Sequence, residues 1–132
     1  MTYEMWILVF AAIWGLIQIF IAAVAPAFQP GYFQWNASPR DEAFDLGPVA
    51  GRMRRAYQNF LETFPFFIVI VMALAYTQQS DDVSRVGAIV YFIARLLYFP
   101  AYAVGVKARS LLYIVSLAGM TACAVTLFRG LI

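Results

Sequence analysis

Apolar residues run through this chain in four long stretches, each interrupted by few polar positions. The stretches are Met5 to Ala25, Phe64 to Tyr76, Val86 to Val106 and Leu111 to Phe128. A helix needs about 20 such residues to cross roughly 30 Å of hydrocarbon, and the second stretch reaches this length when it is extended backwards through AYQNFLET. The pattern predicts an all-α membrane protein with four transmembrane helices in a single domain, residues 1–132. The predicted spans are about 5–27, 49–78, 84–106 and 110–129.

Polar residues within the second and third spans recur at helical spacing. Residues three, four or seven positions apart share one face of a helix. Ionisable groups inside a span cost about 2.5 to 3.5 kcal/mol each, so such faces are expected to point into the bundle or a wet cavity. One stripe consists of Arg52, Arg55, Asn59 and Glu62. The other consists of Tyr91, Arg95, Tyr98, Tyr102 and Arg109.

Glu62 and Arg95 are candidates for a contact between the two stripes. With Ala56 and Val106 taken as the cytoplasmic boundary, Glu62 would lie about 9 Å deep and Arg95 about 16 Å deep, a difference that an arginine can cover. An ion pair that only joins helices would account for these two charges. Such a pair would not account for the other arginines of the two stripes. These suit a small anionic ligand, because guanidinium groups bind carboxylates bidentately.

The composition excludes several kinds of catalytic and metal site. Only 12% of the residues are charged, histidine is absent and Cys123 is the single cysteine. This excludes an internal disulfide, a Cys/His metal site and any histidine-dependent nucleophile, so a nucleophile would have to come from a substrate or water. The net charge of +2, with no basic stripe outside the spans, gives no sign of nucleic-acid binding.

Positive charge is concentrated in two connections. The first connection and the start of span two hold Arg40, Arg52, Arg54 and Arg55, and the third connection holds Lys107 and Arg109. The other side has only Arg85 and Arg129, so the positive-inside rule predicts that both termini are non-cytoplasmic. The first stretch is expected to be a permanent span, because MTYE lacks the basic residues of a signal peptide. Composition does not distinguish a bacterial inner membrane from an endomembrane.

The longest connection, Phe28 to Gly47, is the most polar part of the chain. Ser38 is predicted to cap a short helical turn that begins at Pro39, with Asp41 and Glu42 near its positive end. The connection is either an interfacial loop or a lid over a site.

The segments RRAYQNFLETFP and YFIARLLYFPAYAVGVKAR together resemble the MAPEG superfamily, the membrane-associated proteins in eicosanoid and glutathione metabolism. The similarity is closest over about Gly51 to Arg109. It consists of R-x-x-R-A-x-x-N-x-x-E-x-x-P in span two and A-R-x-x-Y-F-x-x-Y in span three, with an arginine seven residues later. Spans one and four match only in length and hydropathy.

The resemblance implies a left-handed four-helix bundle that assembles as a homotrimer, with glutathione between neighbouring subunits near the cytoplasmic side. By position, it implies that Arg109 stabilises the glutathione thiolate and that the other matched residues bind glutathione. These residues are Arg52, Arg55, Asn59, Glu62, Arg95, Tyr98 and Tyr102. Thr63 and Tyr57 depart from the leukotriene-forming branch, which has tyrosine and glutamine there.

Three functions remain open. The first is a glutathione-dependent transferase or peroxidase that acts on lipophilic electrophiles or lipid hydroperoxides in the bilayer, with detoxification as its purpose. The second is a non-catalytic relative that binds a lipid or a protein partner. The third is a small four-span exporter in which Glu62 exchanges protons, a role that would leave the arginines unused.

Overall fold

The computed structural model describes all 132 residues, and its secondary structure is entirely helical. Four long helices are each apolar and long enough to cross a membrane, which confirms the predicted all-α class with four candidate spans. A single 3-10 turn, Ala25–Phe28, directly follows the first of these helices. The helices are α1 Tyr3–Val24, α2 Tyr32–Ala37, α3 Pro48–Thr77, α4 Asp82–Ala103 and α5 Arg109–Arg129.

Helices α4 and α5 cross at two glycines. A Cβ atom on Gly119 would lie 2.5 Å from the carbonyl oxygen of Gly87 and 2.7 Å from the main-chain nitrogen of Tyr91. Apolar side chains gain little from leaving lipid for one another, so close backbone packing over small residues is a main source of helix association in membranes. The buried Cys123 lies against Gly87, and its Sγ donates to the Ser84 carbonyl at 3.3 Å.

A fully buried carboxylate fastens the start of α1 to the connection between α3 and α4. Glu4 is 0% exposed. Its carboxylate oxygens accept hydrogen bonds from the Ser80 hydroxyl, at 2.6 and 2.8 Å, and from the Ser84 hydroxyl. These donors replace the water that the carboxylate loses on burial. Glu4 is therefore held by neutral hydroxyl groups and has no cationic partner.

The N-terminal cap of α4 lies next to Glu4. Asp81 accepts from the Ser84 main-chain N–H at 2.8 Å and from the Thr126 hydroxyl at 3.0 Å, and Ser84 completes a capping box by accepting from the Asp81 N–H. The hydrogen bond from the Ser84 N–H is the main reason that the pKa of Asp81 lies below its usual value. Glu4 and Asp81 thus join α1, α4 and α5.

The predicted cap at Ser38 is wrong. Ser38 follows the short helix α2 and ends it, and residues 39–47 contain no helix. The Ser38 hydroxyl donates backwards to the Trp35 carbonyl at 2.6 Å and accepts the Arg40 main-chain N–H at 3.2 Å. Serine side chains can satisfy the backbone on either side, so the residue type alone does not indicate the end of a helix.

Replacing Gly119 by alanine is expected to destabilise the protein, because the new methyl group would meet the backbone of α4 rather than a movable side chain. Overpacking of this kind costs about 1 to 3 kcal/mol. Thermal unfolding of Gly119→Ala in detergent should therefore begin several degrees below that of the unmodified chain.

Gly51→Ala is the matched control. Gly51 also lies in a long helix, but its added Cβ would meet only the flexible end of Arg55 at 3.4 Å. Alanine is a better helix former than glycine by about 1 kcal/mol, so this variant should be at least as stable as the unmodified chain. Equal melting temperatures for Gly119→Ala and Gly51→Ala would contradict the tight crossing of α4 and α5.

Candidate functional site

Arg95 is the most buried charge of the candidate site. It lies in the middle of α4 and is 1% exposed. Its guanidinium donates to the Asn59 side-chain oxygen at 2.6 Å and to the Thr63 hydroxyl at 2.8 Å, both on α3, while its Nε has no partner. The Arg95 guanidinium also lies within 6 Å of three phenol rings, at 5.9, 5.3 and 5.1 Å from Tyr91, Tyr98 and Tyr113. Neutral oxygen atoms and aromatic faces therefore stabilise this cation.

A second cationic group surrounds Tyr102, towards the end of α4. The guanidinium of Arg109 lies 4.1 Å from the centre of the Tyr102 ring, and that of Arg55 lies 5.9 Å from it. The Nε of Arg55 donates to the Tyr102 hydroxyl at 3.3 Å. Tyr102 also packs edge-to-face on Tyr98, with 5.7 Å between ring centroids. The predicted stripes on α3 and α4 meet at this point. The placement of Arg109 in the α4 stripe is wrong, because α4 ends at Ala103 and Arg109 reaches Tyr102 from the start of α5.

Neither Arg55 nor Arg109 has an anionic partner. The chain contains one salt bridge, between Arg85 and Asp82 at the opposite end of α4. Arg55 is exposed and Arg109 half-buried, so both can be reached by a ligand. Two uncompensated guanidinium groups around one phenol are suited to binding an anion such as a carboxylate or a thiolate.

Two other predicted residues lie apart from this group. Arg52 donates to the Ala103 carbonyl at 3.4 Å and packs beside Gly105, where it joins α3 to the end of α4. Glu62 is exposed on α3 and forms no salt bridge. The expected contact between Glu62 and Arg95 is therefore wrong, because Thr63, the next residue around the helix, faces Arg95 instead.

The single chain has no enclosed hollow at these residues. Five clefts are present, and none is lined by Arg55, Tyr102 or Arg109. The cationic group is instead an open surface between α3 and α4. A ligand bound there would be covered on one side only by this chain.

A model of the MAPEG family matches residues 5–129, nearly the whole chain. The chain belongs to the MAPEG family. It is therefore a membrane protein of the superfamily that acts in eicosanoid and glutathione metabolism, a family that generally uses glutathione. Comparisons with curated proteins and with solved structures returned no match.

Three residues of this MAPEG protein that support Arg95 were not predicted as site residues. They are Thr63 on α3, Tyr113 on α5 and Trp14 on α1, whose indole donates to the Arg95 carbonyl at 3.3 Å. Helical spacing offered a signal for two of them, since Thr63 lies four residues after Asn59 and Tyr113 four after Arg109. Trp14 is 81 positions away from Arg95 and follows no pattern within the polar stripes.

Thr63→Val should destabilise the chain, because it leaves one Arg95 nitrogen buried without a partner while keeping the shape of the side chain. An unsatisfied buried group next to a charge costs about 1 to 3 kcal/mol. Thermal unfolding in detergent is the measurement. Thr121→Val is the control, since Thr121 is exposed and its hydroxyl bonds only to its own helix at Leu117. Equal melting temperatures for the two variants would show that Arg95 does not depend on Thr63.

Proposed function

We propose that this MAPEG protein is a glutathione-dependent transferase or peroxidase that acts on lipophilic electrophiles or lipid hydroperoxides. The observation that carries the proposal is the group of Arg55, Tyr102 and Arg109, in which two guanidinium groups share one phenol without a carboxylate. Glutathione is a small molecule with two carboxylates and a thiol that can ionise. A cationic surface at the membrane boundary is suited to such a ligand.

The residues fit glutathione in distinct ways. Arg55 is free to bind a carboxylate, and Arg109 can stabilise negative charge on sulfur. When bound, glutathione supplies the nucleophilic sulfur that the chain itself lacks. A free thiol has a pKa of about 8.5, so a nearby guanidinium lowers it and raises the fraction of thiolate at neutral pH.

The open shape of the surface supports binding between subunits. Glu62 is exposed and lies seven residues after Arg55, on the same face of α3, so the two would meet one ligand if a second chain covered that face. The proposed assembly is a homotrimer with both termini on the non-cytoplasmic side. Arg52, Asn59, Arg95, Tyr98 and Tyr102 would then position or support the ligand from α3 and α4. The lipophilic substrate would arrive from the bilayer, in keeping with detoxification.

Arg109→Ala should abolish most conjugating and peroxidase activity at neutral pH while glutathione still binds. Without Arg109 the pKa of the bound thiol rises towards that of free thiol. Each unit of increase lowers the thiolate fraction about tenfold when the pH is below both values. Activity should therefore recover as pH is raised, and the pH–rate profile should move to higher pH. Turnover with a dinitrohalobenzene and with a lipid hydroperoxide measures activity, and ultraviolet absorbance of the thiolate measures ionisation.

Lys107→Ala is the matched control, because Lys107 is exposed, carries the same charge and lies two residues away in the same connection. Calorimetry should detect glutathione binding in the unmodified chain and in both variants. Unchanged turnover in Arg109→Ala would remove Arg109 from the mechanism. No binding of millimolar glutathione by the unmodified chain would favour the non-catalytic relative that binds a lipid or a partner.

A further inference from the structure

A second cationic surface lies beside an adjacent face of α3. It forms one wall of a cleft of about 330 Å³ between α1, the connection that contains α2, and the start of α3. The polar side chains of this cleft are Tyr32, Asn36, Arg40, Arg54 and Tyr57. The facing wall is apolar and comes mainly from the end of α1, with Ile19, Ala22 and Ala23. The cleft is therefore amphipathic, with two arginines and an apolar wall among its lining residues.

Arg40 is held in place by its own loop. Its backbone has φ of 60°, a left-handed conformation that is uncommon for a residue with a side chain. Its main-chain N–H donates to Ser38 Oγ at 3.2 Å, and its Nε donates to the Asn36 carbonyl at 3.1 Å. The Arg40 guanidinium also lies 5.8 Å from the Trp35 ring centre. These contacts leave the two terminal nitrogens of Arg40 free for a ligand.

The charge of this cleft is not neutralised by the chain. No acidic residue lines it, and neither Arg40 nor Arg54 forms a salt bridge. Two guanidinium groups beside an apolar wall suit a molecule with an anionic head and an apolar tail. Glutathione, which is polar throughout, would leave the apolar wall unused.

An apolar groove continues from the cleft along the outside of the bundle. It has a volume of about 360 Å³ and shares Ile19 and Tyr57 with the cleft. From Ile19 it follows α1 back to Ala12, seven residues or about 10 Å, with Phe64 on the α3 side. A tail leaving the cleft can therefore run directly into a groove between α1 and α3.

We propose that the cleft and groove together bind one anionic phospholipid, with its phosphate between Arg40 and Arg54 and one acyl chain along α1. The bilayer is the natural source, because the groove opens sideways from helices that span it. Basic pockets beside membrane helices attract anionic headgroups, and the aromatic residues Tyr32, Trp35 and Phe44 pack together beside the cleft as amphipathic rings do at a membrane interface. This site is independent of the proposed glutathione site.

Binding of the anionic headgroup is tested by native mass spectrometry of the full chain in non-ionic detergent. Phosphatidylglycerol and phosphatidylcholine with identical acyl chains are the probes. The unmodified chain should retain one phosphatidylglycerol per chain and little phosphatidylcholine. Loss of two charge-assisted contacts should weaken phosphatidylglycerol retention about 10- to 100-fold in the double variant Arg40→Gln, Arg54→Gln. Equal retention of both lipids, or unchanged retention by this variant, would overturn the proposal.

The double variant Arg85→Gln, Arg129→Gln is the matched control, because it removes the same charge from exposed arginines at the opposite end of the bundle. It should retain phosphatidylglycerol like the unmodified chain. Glutathione turnover should be the same in all these proteins, since Arg54 and Arg40 lie away from Tyr102. Loss of turnover without loss of lipid in the Arg40, Arg54 variant would overturn the separation of the two sites.

Binding of the acyl chain in the groove is tested by substitutions that fill the groove with a larger side chain. Ala12→Phe places a ring in the groove between α1 and α3, whereas Ala118→Phe places one in a separate groove between α4 and α5. Only Ala12→Phe should reduce phosphatidylglycerol retention, with elution volume and melting temperature unchanged. A change of oligomeric state in Ala12→Phe, with lipid retained, would show that a second chain covers the groove. Binding of palmitate in place of phosphatidylglycerol would contradict a phospholipid occupant.

Discussion

The arrangement of the bundle depends on one buried guanidinium. Arg95 lies within the membrane-spanning part of α4, where an unpaired charge is costly. Its guanidinium is stabilised by Asn59 and Thr63 from α3 and by Tyr113 from α5, and Trp14 from α1 donates to its main-chain carbonyl. Displacing α3 or α5 would remove partners of this buried cation. The cost of burying Arg95 therefore constrains how α3, α4 and α5 pack.

Glu4 provides a second constraint at the end of the bundle where α1 and α4 begin. It is as buried as Arg95, and it too is stabilised by neutral groups, in this case the hydroxyls of Ser80 and Ser84. A direct ion pair between Glu4 and Arg95 would have required the two side chains to lie at the same depth in the bundle. Hydrogen bonding each charge separately lets the anion fix the start of α1 and the cation fix the middle of the bundle. Because no ion pair consumes them, the arginines near Tyr102 remain free for a ligand.

The sequence allowed prediction of the helices and of the polar faces, because both follow from local spacing. Arg55 and Tyr102 meet because they lie on faces that the 3.6-residue period identifies, whereas Arg109 begins the next helix, α5, after α4 has ended at Ala103. The partner of Arg95 could not be chosen in this way. Rise per residue estimates the depth of Glu62, but the rotation of α3 about its axis decides whether residue 62 or 63 faces α4. That rotation is set by packing over the whole bundle.

Long-range contacts were beyond prediction for the same reason. Glu4 meets Ser80 and Ser84 across 76 and 80 positions of sequence, and Trp14 reaches Arg95 across 81. Each partner is an ordinary residue in its own helix, with no spacing that marks it. The left-handed loop conformation at Arg40 is equally hidden, because the sequence there favours several turns. Tertiary packing decides the contacts of Glu4 and Trp14, whereas Arg40 is held by contacts within its own loop.

Neighbouring arginines on α3 illustrate how one helix can present charge to two different environments. Successive residues are about 100° apart around a helix, so Arg55 faces Tyr102 on α4 while Arg54 faces the cleft beside α1. The two surfaces carry the same charge but differ in what lies beneath it. Beside Arg55 are phenols and a second arginine, with no enclosing wall; beside Arg54 is an apolar wall that leads into a groove. A polar anion suits the first and needs another chain to enclose it, whereas an amphiphile suits the second and can be bound by one chain alone.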